Sequence, residues 1–537
     1  MACLTVAACL MARNRSFVIV AGTLGAGAIT LVHGLGYYRL TVDDAYITFR
    51  YASNLANGLG PNWNSDGRVE GYTSFLWMLA LAGTEKLSIS PVIASQMLGF
   101  FAIIATFLIA YRVWVLWSAD EPGSGIDHPL VPTAAVLGLS LVGGLSFWGY
   151  SGMETPLFTA LVAGGVCLCL TERRTGGLPW SAVVLAAAAM TRPEGLIVVV
   201  VSGAFKAWLL FRQDRSQRAV INAALWVSMV GFLYGAYFLW RLTYYDEWLP
   251  NTFYAKVGAT RALLDRGLVY VQEWGLRYHV LPAAIGALFL LSLERIRADA
   301  VYILGVTAAL LAGIAIEGAD SFGHGRFMVP LLPLLYLAGA AGYAVLLRRV
   351  RLPAAQTALI AAVALTFAGL ALVRSSQDDS MAIQRRGIED RQLLGEWLSD
   401  HAPEDYTVAA FAIGGLGYYV EQDMLDLLGV NDRVIAHTEV IGLGSGIAGH
   451  EKYNTDYVFE QAQPELIVPG DSEGQAFTDE ELRALLSGST IPARDSYLHD
   501  PRLWERYTVR SVQIEGRWFN LLQRRDLGDD LAAAAPE

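Results

Sequence analysis

The sequence predicts a polytopic α-helical membrane protein with about eleven transmembrane helices and a C-terminal extracytoplasmic α/β domain. The first observation is composition: the 537 residues are 54% apolar and 17% charged, with a mean hydropathy of +0.39, as is typical of multi-spanning membrane proteins. The second is a succession of apolar runs long enough to cross a bilayer. The third is the change of character after Arg374, where charges are frequent and no such run occurs. We therefore divide the chain into a transmembrane domain, residues 1–373, and a soluble domain, residues 374–537.

Eleven apolar runs qualify as candidate spans, two of them short. They lie near 16–38, 90–117, 129–149, 154–170, 179–191, 195–211, 219–242, 279–294, 300–316, 327–347 and 354–373. The first run follows Arg13 and Arg15, whereas a signal peptide has its charges before a short apolar core, so we expect a retained first helix. Residues 73–88 are apolar but brief, and we expect them on the membrane surface.

The basic residues predict the orientation of the spans, since cytoplasmic loops are enriched in Lys and Arg. With the N-terminus in the cytoplasm, the cytoplasmic loops hold the arginines at 173–174, 212–218, 295–297 and 348–351. The acidic loop 118–128 departs from this rule. Eleven spans from a cytoplasmic N-terminus place the C-terminal domain outside the plasma (inner) membrane.

The first outer loop, residues 39–89, carries a high density of charge next to a membrane span. Asp43 and Asp44 come directly after the first span, where an ionised side chain is costly unless it has water or a partner. The apolar positions from Tyr46 to Leu55 fit one face of a short interfacial helix that begins at the acidic pair. One Asp is enough to cap the N-terminus of that helix. The presence of two therefore favours a catalytic role for the pair over capping alone.

The predicted orientation gathers further polar residues at the outer ends of the spans. We take these as candidate donor- or acceptor-binding residues: Arg50, Glu70, Glu154, Arg192, Glu194, Asn251, Lys256, Asp320, His324 and Arg326. Such a set suits a lipid-linked anion, because Arg and Lys hold phosphate, a carboxylate can take a proton from a hydroxyl, and apolar helices can house a lipid tail. Structural alternatives stay open for several of them, namely an ion pair across a helix break for Arg192 and Glu194, a helix start for Glu154, and turns for Asn251 and His324.

The C-terminal domain shows the pattern of a small α/β fold. The segments YTVAAF, ELIVPG and WFNLLQ are typical of short strands, and residues 384–399 and 478–487 of polar helices. Gly414, Gly415 and Gly417 follow the first strand, where a tight turn is favoured over half of a nucleotide-binding fingerprint. The four cysteines have neither metal-ligand spacing nor a disulfide framework, so no metal site is predicted. A net charge of −11 argues against a nucleic-acid partner.

Six segments carry a resemblance to a known class of proteins. They are DDAYITFRYASNLANGLGPNWNSDGRVEGYTSFLW, GMETPLF, TRPEG, LPNTFYAKVG, DSFGHGRFMVPLLP and YYVEQDMLDLLGVND. Together they resemble the GT-C class of integral-membrane glycosyltransferases, and more narrowly the actinobacterial terminal β-(1→2)-arabinofuranosyltransferase group and its bacterial relatives. The resemblance covers most of the chain, including the C-terminal domain. It implies a GT-C-like transmembrane domain and polyprenyl-phosphate sugars as donors.

The same resemblance implies roles for individual residues. One of Asp43 and Asp44 would be the general base, with Asp44 favoured, and Glu154 matches an acidic position in the second outer loop. The donor phosphate would be held by Arg192, Lys256 and Arg326. Several members of the class use a divalent cation, which leaves that cofactor open here.

We therefore expect transfer of a sugar, arabinofuranose first, from a polyprenyl-phosphate donor to a cell-envelope glycan, as in cell-wall arabinan biogenesis. The expected partners are the lipid-linked donor, the glycan acceptor and membrane lipid. The alternatives are a mannosyl-type polyprenyl-phosphate-dependent transferase, a transporter or flippase of lipid-linked sugar, and a non-catalytic scaffold. A transporter would typically show inverted repeats and broken helices at mid-membrane, whereas the charges here cluster at one interface, which favours the enzyme.

Overall fold

A computed structural model of the chain describes residues 15–37, 40–212, 215–258, 260–349, 380–440, 442–487 and 491–528. The last predicted span, 354–373, and the predicted domain boundary at residue 373 lie outside the described residues.

The first part of the chain is helical, with α1 (Arg15–Gly36), α2 (Asp43–Ala56), α3 (Phe75–Glu85), α4 (Pro91–Asp120), α5 (Leu130–Ser140), α6 (Gly143–Tyr150), α7 (Thr155–Thr175), α8 (Ser181–Thr191), α9 (Gly195–Arg212), α10 (Gln217–Tyr245), α11 (Asn251–Lys256), α12 (Arg261–Arg277), α13 (Val280–Leu288), α14 (Arg297–Glu317) and α15 (Leu332–Arg349).

Seven helices in the described part of the chain are long and apolar enough to cross a bilayer. They are α1, α4, α7, α9, α10, α14, and α15 together with the 3-10 turn Arg326–Leu331 that leads into it. Two bent pairs, α5 with α6 and α12 with α13, raise the number to nine if each pair is one span. The helices α3 and α8 are apolar but have only 11 residues each. The chain is therefore a multi-pass membrane protein, and the count of eleven spans stays a prediction.

Each bend has a visible cause in the backbone. The helices α5 and α6 meet at 59°, with Val142 between them in an extended conformation. The helices α12 and α13 meet at 73° at His279, whose φ of +51° is left-handed and interrupts a helix. The predicted span 129–149 is therefore a broken helix, and the predicted span 279–294 is the second half of a bent pair.

Ion pairs gather where the predicted cytoplasmic loops meet. Arg174 Nη2 lies 2.7 Å from Asp120 Oδ2. The backbone N–H of Arg295 donates to Glu121 Oε1 at 3.1 Å. The acidic loop 118–128 therefore lies against basic residues of two other predicted cytoplasmic loops. Arg174 thus neutralises one carboxylate of this loop, and the three loops lie on one side, as the predicted topology requires.

The C-terminal part is a small α/β fold built on a five-stranded mixed sheet. Its elements are α16 (Ser380–His401), β1 (Thr407–Ala410), α17 (Ile413–Tyr419), β2 (Asp423–Asp426), α18 (Arg433–His437), β3 (Leu466–Val468), α19 (Asp479–Leu486), α20 (Pro492–His499), α21 (Pro501–Arg506), β4 (Tyr507–Ile514) and β5 (Arg517–Arg524). The strand order is β2-β1-β3-β5-β4, with β1, β2 and β3 parallel and β5 antiparallel to β3 and β4. The three predicted strands are β1, β3 and β5, and the two predicted polar helices fall in α16 and α19.

The glycines after β1 form no tight turn, so that prediction is wrong. Gly414, Gly415 and Gly417 lie in the short helix α17, which packs against α2. A Cβ on Gly414 would stand 1.9 Å from the backbone oxygen of Asp43, and a Cβ on Gly417 would stand 2.7 Å from the Trp63 ring. The missing side chains are what allow α17 to approach the first outer loop so closely.

Candidate functional site

A cavity of about 310 Å³ lies between α2, the ends of several candidate spans and the C-terminal domain. Seven of the twelve predicted site residues line it, namely Asp44, Glu154, Arg192, Glu194, Lys256, Asp320 and Arg326. These residues belong to five different predicted outer loops. The fold thus brings to one place side chains that are up to 282 residues apart in the sequence (326 − 44).

Asp44 stands in the first turn of α2 and lines this cavity. Its Oδ2 lies 3.8 Å from Nζ of Lys256, and the two side chains are 29% and 35% exposed. Among the described residues no side chain or backbone group donates a hydrogen bond to the Asp44 carboxylate. A partly exposed carboxylate with one loosely held cation beside it can accept a proton from a ligand in the cavity.

Asp43, the neighbouring residue, is held by the C-terminal domain. Its carboxylate accepts hydrogen bonds from the backbone N–H groups of Gly414, at 3.0 Å, and Gly415, at 2.8 Å. Arg391 Nη1 donates to it at 3.1 Å. Consecutive side chains on a helix point about 100° apart, so α2 directs Asp43 to the C-terminal domain and Asp44 into the cavity.

Replacing Gly414 with Ala is expected to loosen the contact between α2 and α17, because the added Cβ would stand 1.9 Å from the Asp43 backbone oxygen. Overpacking of this kind costs about 1–3 kcal/mol. We expect a lower unfolding temperature and faster limited proteolysis of the C-terminal domain. The control is Gly474→Ala in the same domain, where a Cβ would have nothing within 4 Å. Equal stability of the two variants would contradict the close approach.

Arg192 is the centre of a buried group of charges. Its Nη1 lies 2.5 Å from Glu154 Oε1 and its Nη2 lies 2.5 Å from Glu194 Oε1, with all three side chains less than a tenth exposed. Burial by itself opposes ionisation of Glu194, but the charge and hydrogen bonds of Arg192 outweigh burial and lower the pKa of Glu194. The open alternative of an ion pair across the break between α8 and α9 is therefore confirmed, and the same pair lines the cavity.

A second ion pair, between Arg326 and Asp320, lines the same cavity, with Nε and Oδ2 2.9 Å apart. Two further charged residues, Glu317 and Arg266, line the cavity and are not among the predicted binding residues. Glu317 is the last residue of α14, so the sequence places it in the same predicted outer loop as Asp320 and Arg326. Arg266 lies inside the polar helix α12, where nothing in the sequence distinguishes it from other surface arginines.

Arg50 and Glu70 lie outside the cavity lining and are buried elsewhere. Arg50 donates to the backbone oxygens of Val420 and Gln422, each at 3.1 Å. Glu70 Oε2 accepts from Arg241 Nε at 2.8 Å. Arg50 thus fastens α2 to the C-terminal domain, and Glu70 fastens the first outer loop to α10. The geometry does not support their predicted contact with donor or acceptor.

Asn251 and His324 also lie outside the lining. The Asn251 amide donates to the backbone oxygens of Gly429, at 2.8 Å, and Val430, at 2.9 Å. His324 has a φ of +60°, and its ring stacks on Phe147 with centroids 4.1 Å apart. The geometry supports the structural alternatives for both residues rather than a binding role.

The described residues contain no group of three His, Cys, Asp or Glu side chains placed to hold a metal ion. In the cavity, Glu154 and Glu194 bind Arg192, and Asp320 binds Arg326. Within the described part of the chain, Asp44 and Glu317 are the lining carboxylates without an arginine ion pair, so a cation held by three of the lining carboxylates would have to displace an arginine. The described residues therefore hold no preformed three-ligand metal site, and the structure assigns no place to the cation that the resemblance left open.

Two sequence matches bear on this chain. Residues 381–521 match a family described as a domain of unknown function, DUF8728. A terminal β-(1→2)-arabinofuranosyltransferase of Mycobacterium tuberculosis (strain ATCC 25618 / H37Rv) is 24% identical over 299 residues, which is 51% of this chain and 44% of that relative. The match thus spans less than half the length of the curated relative.

Solved membrane enzymes show the same architecture. ArnT from Cupriavidus metallidurans, bound to undecaprenyl phosphate, superposes with a TM-score of 0.56 at 12% identity, over 97% of this chain and 99% of ArnT. The oligosaccharyltransferase of Archaeoglobus fulgidus, in complex with zinc and sulfate, gives a TM-score of 0.53 at 12% identity, over 94% of this chain and 72% of that chain. This chain shares their fold. The predicted GT-C-like fold with a C-terminal α/β part is therefore confirmed.

Proposed function

We propose that the protein is a glycosyltransferase that uses a polyprenyl-phosphate sugar as its donor. The observation that carries the proposal is one cavity that holds the accessible carboxylate of Asp44 together with the cationic side chains of Lys256, Arg192 and Arg326. A base for the acceptor and cations for the departing phosphate are what this transfer requires. The fold shared with ArnT, solved with undecaprenyl phosphate, supports the choice of donor.

In the proposed mechanism Asp44 takes the proton of an acceptor hydroxyl as its oxygen attacks the anomeric carbon of the donor sugar. The bond between that carbon and the phosphate oxygen breaks, and polyprenyl phosphate leaves with the electron pair. Lys256 can turn to the departing phosphate, because its contact with Asp44 is 3.8 Å long and a third of its side chain is exposed. Attack opposite the leaving group inverts the anomeric centre.

Arg192 and Arg326 contribute differently from Lys256. Both are held by buried carboxylates, at 2.5 Å and 2.9 Å respectively, so they do not need to reorganise when the phosphate departs. Fixed charges aimed at a developing anion in a site shielded from water stabilise the transition state more than mobile ones do. We assign them to the wall that receives the phosphate.

The reaction is proposed to occur at the outer face of the plasma membrane, with the N-terminus in the cytoplasm. Two observations support this orientation. Arg174 of one predicted cytoplasmic loop pairs with Asp120 of loop 118–128, whereas the cavity is built from the predicted outer loops. This orientation follows the positive-inside rule. Residues 1–373 then form the membrane-embedded domain and residues 374–537 the domain that closes the cavity from outside.

The sugar is proposed to be arabinofuranose, transferred to a cell-envelope glycan. The support is the match to the terminal β-(1→2)-arabinofuranosyltransferase, 24% identical over 299 residues. Purified protein in nanodiscs, given a panel of polyprenyl-phosphate pentoses and hexoses with envelope-derived glycan, should release polyprenyl phosphate from the arabinofuranosyl donor, as followed by mass spectrometry. Release of polyprenyl phosphate from a mannosyl donor alone would contradict the assignment of arabinofuranose. Binding of sugar-lipids without release from any donor would contradict the glycosyltransferase activity and favour a transporter.

Asp43→Asn is expected to lower kcat by about tenfold and no more, because Asp43 positions α2 rather than accepting the proton. The variant keeps a side-chain oxygen for one of the two N–H groups and loses the charge that Arg391 contacts at 3.1 Å, and a hydrogen bond to a charged group contributes about 1.5–3 kcal/mol. The pH dependence of kcat should stay that of the wild type. Asp66→Asn, an exposed carboxylate of the same loop, is the control, and a changed pH profile in Asp43→Asn would contradict the positioning role.

A further inference from the structure

A second cavity, of about 430 Å³, lies within the C-terminal domain. It opens at the carboxyl ends of the parallel neighbours β1 and β3, where the segments 411–412 and 468–473 line it. In open α/β sheets this is the edge at which ligands bind. No residue lines both this cavity and the one that holds Asp44. It is therefore a separate site to which no function is yet attached.

Two lining side chains remain open to a ligand. Arg494 forms no ion pair among the described residues, and its Nε is buried without a hydrogen-bond acceptor. The Glu473 carboxylate likewise has no hydrogen bond or ion pair in the described part of the chain, although its backbone pairs with Trp518. A buried donor without an acceptor is costly, and a ligand that accepts from Arg494 Nε would remove that cost. The same ligand can donate a hydrogen bond to the Glu473 carboxylate, which is exposed.

The other charges of this cavity are already neutralised. Asp390 Oδ1 lies 2.5 Å from Arg517 Nη1, and Asp471 Oδ1 lies 2.9 Å from Arg391 Nε. With these two pairs neutralised, the charges left in the lining are one cation, Arg494, and one anion, Glu473, so the cavity has no net charge that would favour an anionic ligand. An uncharged ligand with several hydroxyl groups needs no such charge.

The apolar part of the lining completes the match. Phe519 is buried, and the Phe411 ring lies 6.0 Å from the Arg494 guanidinium carbon. A sugar ring presents C–H faces to such aromatic side chains and hydroxyls to the charged ones. An all-apolar ligand would leave the buried Arg494 Nε without an acceptor.

We propose that this cavity binds a neutral carbohydrate segment, namely a part of the glycan acceptor distant from the hydroxyl that reacts. The proposal rests on the proposed function, and it assigns Arg494 and Glu473 as acceptor-binding residues. Arg391 joins the two sites, because its Nε contacts Asp471 in this cavity while its Nη1 contacts Asp43 at 3.1 Å. Arg391 thus connects the wall of this cavity to Asp43, the residue before Asp44 in α2.

The test uses the full-length protein in nanodiscs, without donor, and measures binding of short neutral arabino- and manno-oligosaccharides, with inorganic phosphate as the anionic probe. Arg494→Gln and Glu473→Gln should each weaken oligosaccharide binding by about tenfold, the effect of one lost hydrogen bond to a charged group. Arg483→Gln, an exposed arginine of the same domain outside the lining, should leave binding unchanged. In transfer assays the same two variants should raise the acceptor KM and leave kcat and the donor KM near wild type.

The two variants also separate a sugar site from an anion site. Phosphate that binds the wild-type protein more tightly than the oligosaccharides do, and more tightly still after Glu473→Gln removes a repelling charge, would overturn the proposal. Unchanged oligosaccharide binding in both variants would overturn it as well. Oligosaccharide binding that both variants weaken, in a protein that turns over no donor, would refute the proposed function and leave this site standing.

Discussion

Replacing Asp44 with Asn is expected to lower kcat for sugar transfer by about 10³-fold, the middle of the range of about 10²–10⁴ that a positioned general base contributes. Asn has nearly the same shape as Asp but cannot take the acceptor proton. The fold should survive, because the side chain is 29% exposed and its ion-pair partner Lys256 is 3.8 Å away. Surface pairs of this kind contribute little to stability, about 0–1 kcal/mol.

The measurement is single-turnover transfer with saturating donor and acceptor, with the unfolding temperature recorded for the same samples. The donor KM of Asp44→Asn should stay within a few-fold of wild type, since the phosphate-binding cations are untouched. Asp66→Asn again serves as the control for loss of one carboxylate from the first outer loop. Loss of activity accompanied by a large loss of stability would show that Asp44 supports the fold and would remove it from the mechanism.

Replacing Arg192 with Gln is expected to have the largest effect on stability. The change would leave Glu154 and Glu194 buried without the guanidinium that contacts each of them at 2.5 Å. Removing one partner of a buried ion pair costs about 3–5 kcal/mol, because the remaining charge is uncompensated. We expect a sharp fall in the yield of folded protein and in the unfolding temperature in detergent.

A triple variant, Glu154→Gln with Arg192→Gln and Glu194→Gln, isolates the cause of that loss. It removes all three charges together and keeps the side-chain shapes, so most of the stability should return while transfer stays impaired. Recovery of stability without activity would assign Arg192 both roles, structural and phosphate-facing. An Arg192→Gln protein as stable as wild type would contradict the buried ion pair.

The different positions of Asp43 and Asp44 show where prediction from sequence stops. The helix that begins at the acidic pair follows from local apolar spacing, and α2 confirms it. Which aspartate faces the cavity depends on Arg391, 348 residues further along the chain, and on two backbone N–H groups in α17. Contacts over such distances leave no pattern in a single sequence.

The same limit explains why Arg50, Glu70 and Asn251 were assigned to ligand binding. All three are polar residues of predicted outer loops, and polarity at the membrane surface fits a ligand contact and a buried loop contact equally well. In the fold, Arg50 and Asn251 satisfy backbone carbonyl groups of the C-terminal domain, and Glu70 pairs with Arg241 in α10. The prediction of a tight turn at the glycines of α17 was wrong for a related reason. These positions need small residues because α2 packs closely against them, not because the chain turns there.

Three of the predicted residues that line the cavity share a feature visible in the sequence. Glu154, Arg192 and Glu194 interrupt or adjoin apolar runs, where a charge is costly unless it is paired. That cost predicts that each of these charges has a partner of opposite charge. In the structure Arg192 is the partner of both Glu154 and Glu194. The sequence therefore predicts that these charges form ion pairs, but it does not predict which ligand they bind.

The most direct test of the central claim compares wild type, Asp43→Asn and Asp44→Asn in one assay of polyprenyl phosphate release from the donor that wild type accepts. The account predicts release close to one tenth of the wild-type rate for Asp43→Asn and a fall of about 10³-fold for Asp44→Asn. Release by Asp44→Asn at a rate near that of wild type would contradict the assignment of Asp44 as the base.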